Sequence, residues 1–420
     1  MNFALYIARK LSLKQISDDH SNSQRTSRSL VFATCGVTLA IIVMILSIVI
    51  ICGFKNEVTS KIYALDAHIR VNNAAVGIDE NYSTISRSQA EPILNSPNFK
   101  GKISAMSLIA EKSIVLKTDN DFAGTVLKGV DANYNWQFFE KDLVEGSVPN
   151  PEKHNEIIIS QQLARKLQLK AGDSILAYFI DQAVKMRKLT IAGIFNTDFH
   201  DFDVTFILGN IGLIQEVNGW AADTGHYLDI SATDINTLPQ LSSDIFSALA
   251  VYSYQNKDVS TVYNVTNTHR NNLSYFVWLQ LLDMNVVIIL IIMAIVSAFT
   301  LVAAMLTIIL QRIRMIGQLK AMGATNLTIQ RIFIFLTNKL IIKAIILGNV
   351  LAIGFALLQQ HFHIIKLDPA NYYMPFVPIH IVPAHIIILN VAIIAIAYIT
   401  LLAPSYIIAK ISPTSSLRYE

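Results

Sequence analysis

The chain has 420 residues, 53% of them hydrophobic and 15% charged, with a mean hydropathy of +0.45. That is too apolar for a soluble protein of this length. A formal net charge of +3 carries no nucleic-acid signal, and two cysteines are too few for a disulfide-built scaffold.

Residues 2–14 alternate apolar and basic side chains at roughly helical spacing and read as an amphipathic helix on a membrane surface, with a frayed tail as the alternative. Residues 17–29 are polar and read as a linker. Four long apolar stretches follow: Leu30–Gly53, Asn285–Leu310, Leu340–Leu358 and Ile386–Ile408. A bilayer core takes roughly 20 apolar residues in a helix, so all four are expected to span, over 30–54, 284–311, 332–360 and 384–408. The first is too long for a signal-peptide core and has no small-x-small cleavage site after it. Cys35 and Cys52 both lie in it, about 25 Å apart along a helix, and cannot pair.

Basic short loops stay in the cytoplasm. The amino-terminal segment holds Arg9, Lys10, Lys14, Arg25 and Arg28, and residues 312–331 hold Arg312, Arg314, Lys320 and Arg331 with no acid. The tail, 409–420, adds Lys410 and Arg418, whereas loop 361–383 has only Lys366 and Asp368. Both termini and the 312–331 loop are therefore expected inside, and the large segment 55–283 outside.

In that external segment a strand is expected to begin near His68, with others at Lys112–Thr118, Thr125–Val130, Glu156–Ser160, Ser174–Phe179, Arg187–Phe195, Thr205–Gly209 and Tyr227–Ala232. Helices are expected at Ser88–Leu94, Gln161–Leu167, Ile211–Val217 and Leu238–Leu249. Short strands mixed with short helices mean an α+β domain. The fold class is thus an α-helical membrane protein with four transmembrane helices and a large α+β extracytoplasmic domain inserted between helices 1 and 2. No Gly or Pro occurs between Pro239 and Gly317, so one rod could run from about Asn267 through the second span. Fifty residues would give about 75 Å. A break near Asp283 is the alternative.

No phosphate loop, no His-Glu-x-x-His and no Gly-x-Ser-x-Gly occurs, which speaks against ATP hydrolysis or acyl chemistry by this chain. His361-x-His363 and His200-Asp201-x-Asp203 have ligand-like residue types without further partners at useful spacing, so no metal is expected. Lys339 and Lys343 lie near one end of the third span and can snorkel, and no acid falls in any span, so an ion relay is not expected. Pro404 is expected to kink the fourth span.

Two segments have functional patterning. Ile316, Leu319 and Met322 recur at helical spacing in an acid-free loop, which suits insertion into a partner's groove. Phe54, Val58, Ile62 and Leu65 form one apolar helical face leaving the first span. Tyr275, Phe276, Trp278, Leu279 and Leu282 line the approach to the second span, with an interfacial aromatic belt as the alternative reading.

The step Gly53-Phe54-Lys55-Asn56-Glu57-Val58, after Arg25-Thr-Ser-Arg28 and before Ala67-His68-Ile69-Arg70-Val71, resembles the start of lipoprotein-releasing system permeases (LolC/LolE type). Residues Gln311–Phe333, with Leu319-Lys320-Ala321-Met322-Gly323-Ala324, resemble the coupling segment of the wider FtsX/MacB (type VII) ABC permeases, except that Met315 stands where glutamate is common. Leu163–Asp173, Gly193-Ile-Phe followed by Asp203, and the ending Pro413–Glu420 resemble further family segments. The resemblance implies a MacB-like core domain over 55–283 and an FtsX-like permease domain over 284–413. It also implies a mechanical, non-catalytic subunit with no cofactor of its own, ATP and Mg being bound by a partner. Such permeases pair with a second copy or a paralogue and with cytoplasmic ABC ATPases. They take lipoproteins from the outer leaflet of the inner membrane and pass them to a periplasmic carrier. Export of peptides, antibiotics or toxins, as in MacB, and control of a cell-wall hydrolase, as in FtsX, are the alternatives. Under the resemblance Ile313, Ile316, Leu319, Lys320, Met322 and Gly323 are expected to couple to the ATPase. Phe54, Val58, Ile62, Leu65, Tyr275, Phe276 and Leu279 are expected to face lipid and cargo.

Overall fold

The computed structural model describes residues 23–74, 84–119, 121–180, 183–256 and 261–405. The expected surface helix 2–14 and tail 409–420 lie outside them. The chain divides into two compact units: one holds Met1–Asn56, Trp278–Ile365 and Val377–Glu420, the other Glu57–Val277 and Lys366–Phe376.

Helix α1 covers Ser23–Leu65, so the expected linker is helical from Ser23 onward. The second unit continues with β1 (Ile69–Asn73), β2 (Ile85–Ser86), α2 (Arg87–Leu94), β3 (Ile103–Lys117), β4 (Phe122–Val130), α3 (Gln137–Lys141) and β5 (Leu143–Gly146). Next come β6 (Glu156–Ser160), α4 (Gln161–Leu167), β7 (Ser174–Phe179), β8 (Lys185–Phe195), α5 (His200–Thr205), β9 (Phe206–Asn210) and α6 (Ile211–Asn218). It closes with β10 (Thr224–Gly225), β11 (Tyr227–Ala232), α7 (Leu238–Gln255), β12 (Tyr263–Asn267) and α8 (Thr268–Asn271).

The main sheet runs β12-β1-β11-β3-β4-β9-β6-β8-β5, and β7 pairs with both β3 and β8. Strands β3, β4, β9, β6, β8 and β7 thereby close into a ring, leaving no free edge among them. Ile114, Leu116, Leu127, Ile157, Phe179 and Ile191 on these strands are at most 2% exposed and belong to the unit's main apolar core. Local chemistry sets the boundaries. The Ser160 hydroxyl accepts from Leu163 N and starts α4, which ends at Gln168 in the left-handed region. Asn210 caps α6, which ends at Gly219 with φ +70°.

Helix α9 covers Leu273–Gln311, α10 Ile313–Ala321, α11 Asn326–Phe362, α12 Pro369–Tyr372 and α13 Pro383–Ser405. Among the described residues four helices are long and apolar enough to cross a membrane: Val31–Leu65, Leu273–Gln311, Asn326–Phe362 and Pro383–Leu402. The expected rod is corrected at both ends. Residues 263–267 are strand, and Asn272, whose side chain donates to Asp66 Oδ2 at 2.6 Å and to Thr268 O, separates α8 from α9. At the other end the helix breaks at Arg312, not Gly317, which is buried inside α10. Helix α9 passes Asp283 without a break, and its 39 residues give about 58 Å. Helix α11 starts at Asn326, where Thr325 Oγ1 accepts from Thr328 N, so the end of the expected 312–331 loop is helical.

Within the membrane unit, Ile41, Ile45, Met305, Ile329, Ile332 and Phe333 are fully shielded and share one core. Gly348 of α11 packs on α1: a Cβ there would lie 2.7 Å from Ile41 Cγ2. A Cβ on Gly53 would collide with the Pro378 carbonyl, which explains why the step out of the first span has no side chain there. Asn349 and Asn390 donate to each other's Oδ1 at 2.8 and 2.9 Å, joining α11 to α13. Lys55 pairs with Asp283 at 2.6 Å and Phe54 meets the Trp278 ring edge-on at 5.5 Å.

Candidate functional site

At the α10–α11 turn the structure turns two of the expected apolar coupling residues inward and leaves the third, Met322, exposed. Ile316 is 0% and Leu319 7% exposed, and both pack in the membrane unit's core with Ile329 and Phe333. Burying them stabilises the bend at Arg312, so they are not free to enter a partner's groove. Ile313 and Lys320 are half-buried. What the turn presents is Met322, Gly323 at φ +87° and Leu327, with Met322 and Leu327 75% and 65% exposed. Only a residue that tolerates the left-handed region suits position 323.

The expected cargo face is also corrected. Val58, Ile62 and Leu65 are at most 5% exposed, and Leu279 is 2% exposed, so none forms an open lipid-facing stripe. Val58, Ile62 and Leu65 share one buried helical face, and packing decides what that face meets. In the external unit Ile62, Leu65 and Tyr275 come together around a cavity of about 370 Å³, with Phe199, Phe202 and Phe206 on the apolar side. Phe276 stands apart, stacked on His269 at 4.5 Å and near Tyr63. Phe54 and Leu279 do not line the cavity.

The cavity's polar wall is built by the sheet. Arg70 on β1 donates to Asp66 Oδ1 at 2.9 Å and lies 4.0 Å over the Tyr227 ring. Tyr227 donates to Glu111 at 2.6 Å, and burial, then the Glu111 charge, raises its pKa well above the usual phenol range. Lys128, opposite Glu111 in the β3–β4 register, donates to Leu65 O at 3.0 Å and so caps the end of α1. Asp229, paired with Arg70 across β1 and β11, is pushed up to about 6 by burial.

Beside the cavity, Tyr275 donates to Asp201 at 2.7 Å. Asp203 is 1% exposed and accepts from Thr197 Oγ1 at 2.6 Å; burial pushes its pKa up to about 7. His200 contacts Gln162 instead, so the three residues of the His200–Asp203 motif serve separate contacts. Among the described residues no three His, Cys, Asp or Glu side chains are grouped to hold a metal ion.

Sequence reasoning passed over Lys61. It lies on the same helical face as Val58 and Leu65, is 7% exposed, and donates to the carbonyls of Thr197 at 2.7 Å and Tyr373 at 3.0 Å. A lone cation inside an apolar stripe was the available signal. It also passed over Asn349 and Asn390, uncharged polar residues within apolar runs.

A membrane protein with four spanning-length helices among its described residues and a large α+β unit is the class these features define. Residues 30–248 match the family described as MacB-like periplasmic core domain, and residues 287–413 the family described as FtsX-like permease C-terminal. The chain belongs to the FtsX/MacB-type ABC transporter permeases. It is 20% identical over 404 residues to a lipoprotein-releasing system transmembrane protein LolC of Xylella fastidiosa strain Temecula1, covering 92% of each chain. It is 23% identical over 416 residues to an uncharacterized membrane protein of Buchnera aphidicola subsp. Schizaphis graminum, covering 95% of this chain and 96% of that one. Among solved structures it is similar to the extracellular domain of the noncanonic ABC-type transporter YknZ from Gram-positive bacteria, at 12% identity and TM-score 0.34, covering 47% of this chain and 99% of that one. It is also similar to the periplasmic region of MacB from Actinobacillus actinomycetemcomitans, at 10% identity and TM-score 0.35, covering 51% of this chain and 95% of that one.

Proposed function

We propose that this chain is the permease subunit of an ATP-driven complex that extracts lipoproteins from the outer leaflet of the inner membrane and hands them to a periplasmic carrier. The observation that carries the reading is α9: 39 residues without a break, beginning in the external unit and ending one residue before the helix that leads to the exposed Met322–Leu327 turn. A continuous helix of that length transmits displacement where a jointed one would absorb it. The LolC relatives, matched over 92% of this chain, support lipoproteins as the cargo.

In this reading the termini and the α10–α11 turn are cytoplasmic, and the unit holding Glu57–Val277 is periplasmic. The turn docks a separate ABC ATPase, which binds ATP and Mg, through Met322, Gly323 and Leu327. A second permease, a copy or a paralogue, completes the complex. Ile62, Leu65 and Tyr275 line the cavity, and of these Tyr275 is the half-buried one left to meet cargo. Burying an acyl chain is worth about 0.8 kcal/mol per CH₂, so extraction costs tens of kcal/mol gross and needs both ATP and an apolar shelter.

The test is reconstitution with the cognate ATPase in proteoliposomes loaded with a triacylated lipoprotein. ATP-dependent transfer of that lipoprotein to a soluble carrier is the expected result. Hydrolysis without transfer, with release of a peptide or activation of a cell-wall hydrolase instead, would overturn the proposal.

A further inference from the structure

We infer that residues 366–376, between α11 and α13, form a latch on the external unit, and that Lys61 is the positioning residue that holds it closed. The inference rests on the mechanical reading above and names a second route by which movement reaches the external unit.

The segment is ordered by its own contacts. Lys366 bridges Phe376, Leu367 N donates to Pro375 O at 2.9 Å, and Asp368 caps α12 by accepting from Ala370 N at 3.1 Å. The helix ends at Tyr373 with φ +60°, a strained position for a residue with a Cβ. Chain packing places Lys366–Phe376 in the external unit, although the residues on either side belong to the membrane unit.

Tyr373 is gripped at three points. Its carbonyl accepts from Lys61, its ring stacks on Phe199 at 4.8 Å with 25° between planes, and its hydroxyl reaches Asp201 at 3.4 Å. The opposing surface is itself rigid. Asn196 Nδ2 donates to Asp198 Oδ1 at 2.9 Å, Phe199 N to Thr197 Oγ1 at 3.1 Å, and Thr197 Oγ1 to the buried Asp203. That turn presents the second carbonyl to Lys61. Met374, the next residue, is buried, at 2% exposed.

Lys61 makes this arrangement discriminating. Both hydrogen-bond partners of its buried ammonium are carbonyls, one from each side of the junction. A buried ammonium that loses one of two acceptors is strongly disfavoured, so the contact is closed or open with little between. While it is closed, a pull on residues 366–376 by their flanking helices α11 and α13 is delivered to α1 and to the Thr197 turn. Without it, only α1 and α9 join the external unit to the membrane spans through continuous helix.

The test uses the full complex in nanodiscs with Lys61→Met, which keeps the stem and removes the charge, and separately Phe199→Ala, which removes the stack and leaves α1 intact. Hydrogen–deuterium exchange should rise at least tenfold in 366–376 in both variants, while β3, β4 and β9 stay protected, showing that the unit remains folded. ATP hydrolysis should persist, and cargo released per ATP should fall at least tenfold. Unchanged exchange in 366–376, or loosened exchange with release per ATP unaltered, would overturn the latch. Should the parental complex release no lipoprotein, the proposed cargo falls. The exchange pattern then still decides the latch, with its nucleotide-driven change in the parental complex required to disappear in Lys61→Met.

Discussion

Asp203 shows how burial sets the behaviour of one residue. Its carboxyl is pushed from 3.8 to about 7, first by desolvation and further by Asp198, against the opposing pull of the Thr197 hydrogen bonds and the Lys61 charge. A folded pKa above the unfolded one means that the native state holds a proton the unfolded chain has lost. The contribution of this group to stability therefore falls as pH rises from about 4 to about 7 and is constant above. The full effect is on the order of 4 kcal/mol at most. Asp203→Asn keeps an acceptor for Thr197 and removes the titration. It is expected to raise the melting temperature by several degrees at about pH 8 and to leave it unchanged near pH 4; thermal melts in detergent at both values check this. A second residue-scale prediction concerns the Asn349–Asn390 amide pair. Such pairs within membranes are worth about 0.6 kcal/mol on average and up to about 1.7. Asn390→Val should cost about 1–2 kcal/mol because it takes away the donor to Asn349 Oδ1, although Asn349 Nδ2 keeps the Ile345 carbonyl. The double Val variant should cost less than the sum of the singles, measured by reversible unfolding in bicelles.

Among the elements, α9 and the α10–α11 turn carry the functional argument. A helix starting at Leu273 has Ser274 in its first turn, where proline is tolerated because no intrahelical acceptor awaits its N–H. Ser274→Pro should therefore be nearly neutral. Leu281→Pro falls in the helix interior at a 61% exposed side chain, so it breaks the backbone ladder without opening the core. An interior proline costs about 3 kcal/mol. Leu281→Pro should preserve ATPase binding and lower cargo released per ATP at least tenfold. Equal coupling in both variants would remove α9 as the transmitting element. At the turn, a photo-crosslinker at Met322 or Leu327 should capture the ATPase, and one at Ile316 or Leu319 should not, since those side chains are shielded within the permease. Capture from Leu319 but not Met322 would reverse the assignment. Of the expected stripe, Ile316 and Leu319 turn into the permease's own core and Met322 stays exposed. Helical spacing identifies an apolar face, but the same face can meet a partner or the rest of its own chain.

For the whole molecule, composition and hydropathy alone separated apolar helices from a polar α+β segment, because the bilayer's thickness and the pairing demands of buried backbone leave few alternatives. Several strands were legible for a related reason. Alternation and turn residues located β6, β7 and β11 at Glu156–Ser160, Ser174–Phe179 and Tyr227–Ala232 to the residue. The short β2, β5 and β10 were not legible, since two to four residues carry no period and exist only because a neighbouring strand pairs with them. Strand β12 was masked by an absence of Gly and Pro, and it took the Asn272 side chain, anchored on Asp66, to mark where α9 begins. By itself the sequence determined which segments are apolar, which helices can span, and which family the motifs resemble, because these depend on local composition and periodicity. Only the tertiary structure decided that Ile316 and Leu319 face inward, that Ile62, Leu65 and Tyr275 meet at one cavity, and that Lys61 joins Thr197 to Tyr373. Those contacts link residues up to 312 positions apart, and no local pattern encodes a partner that distant.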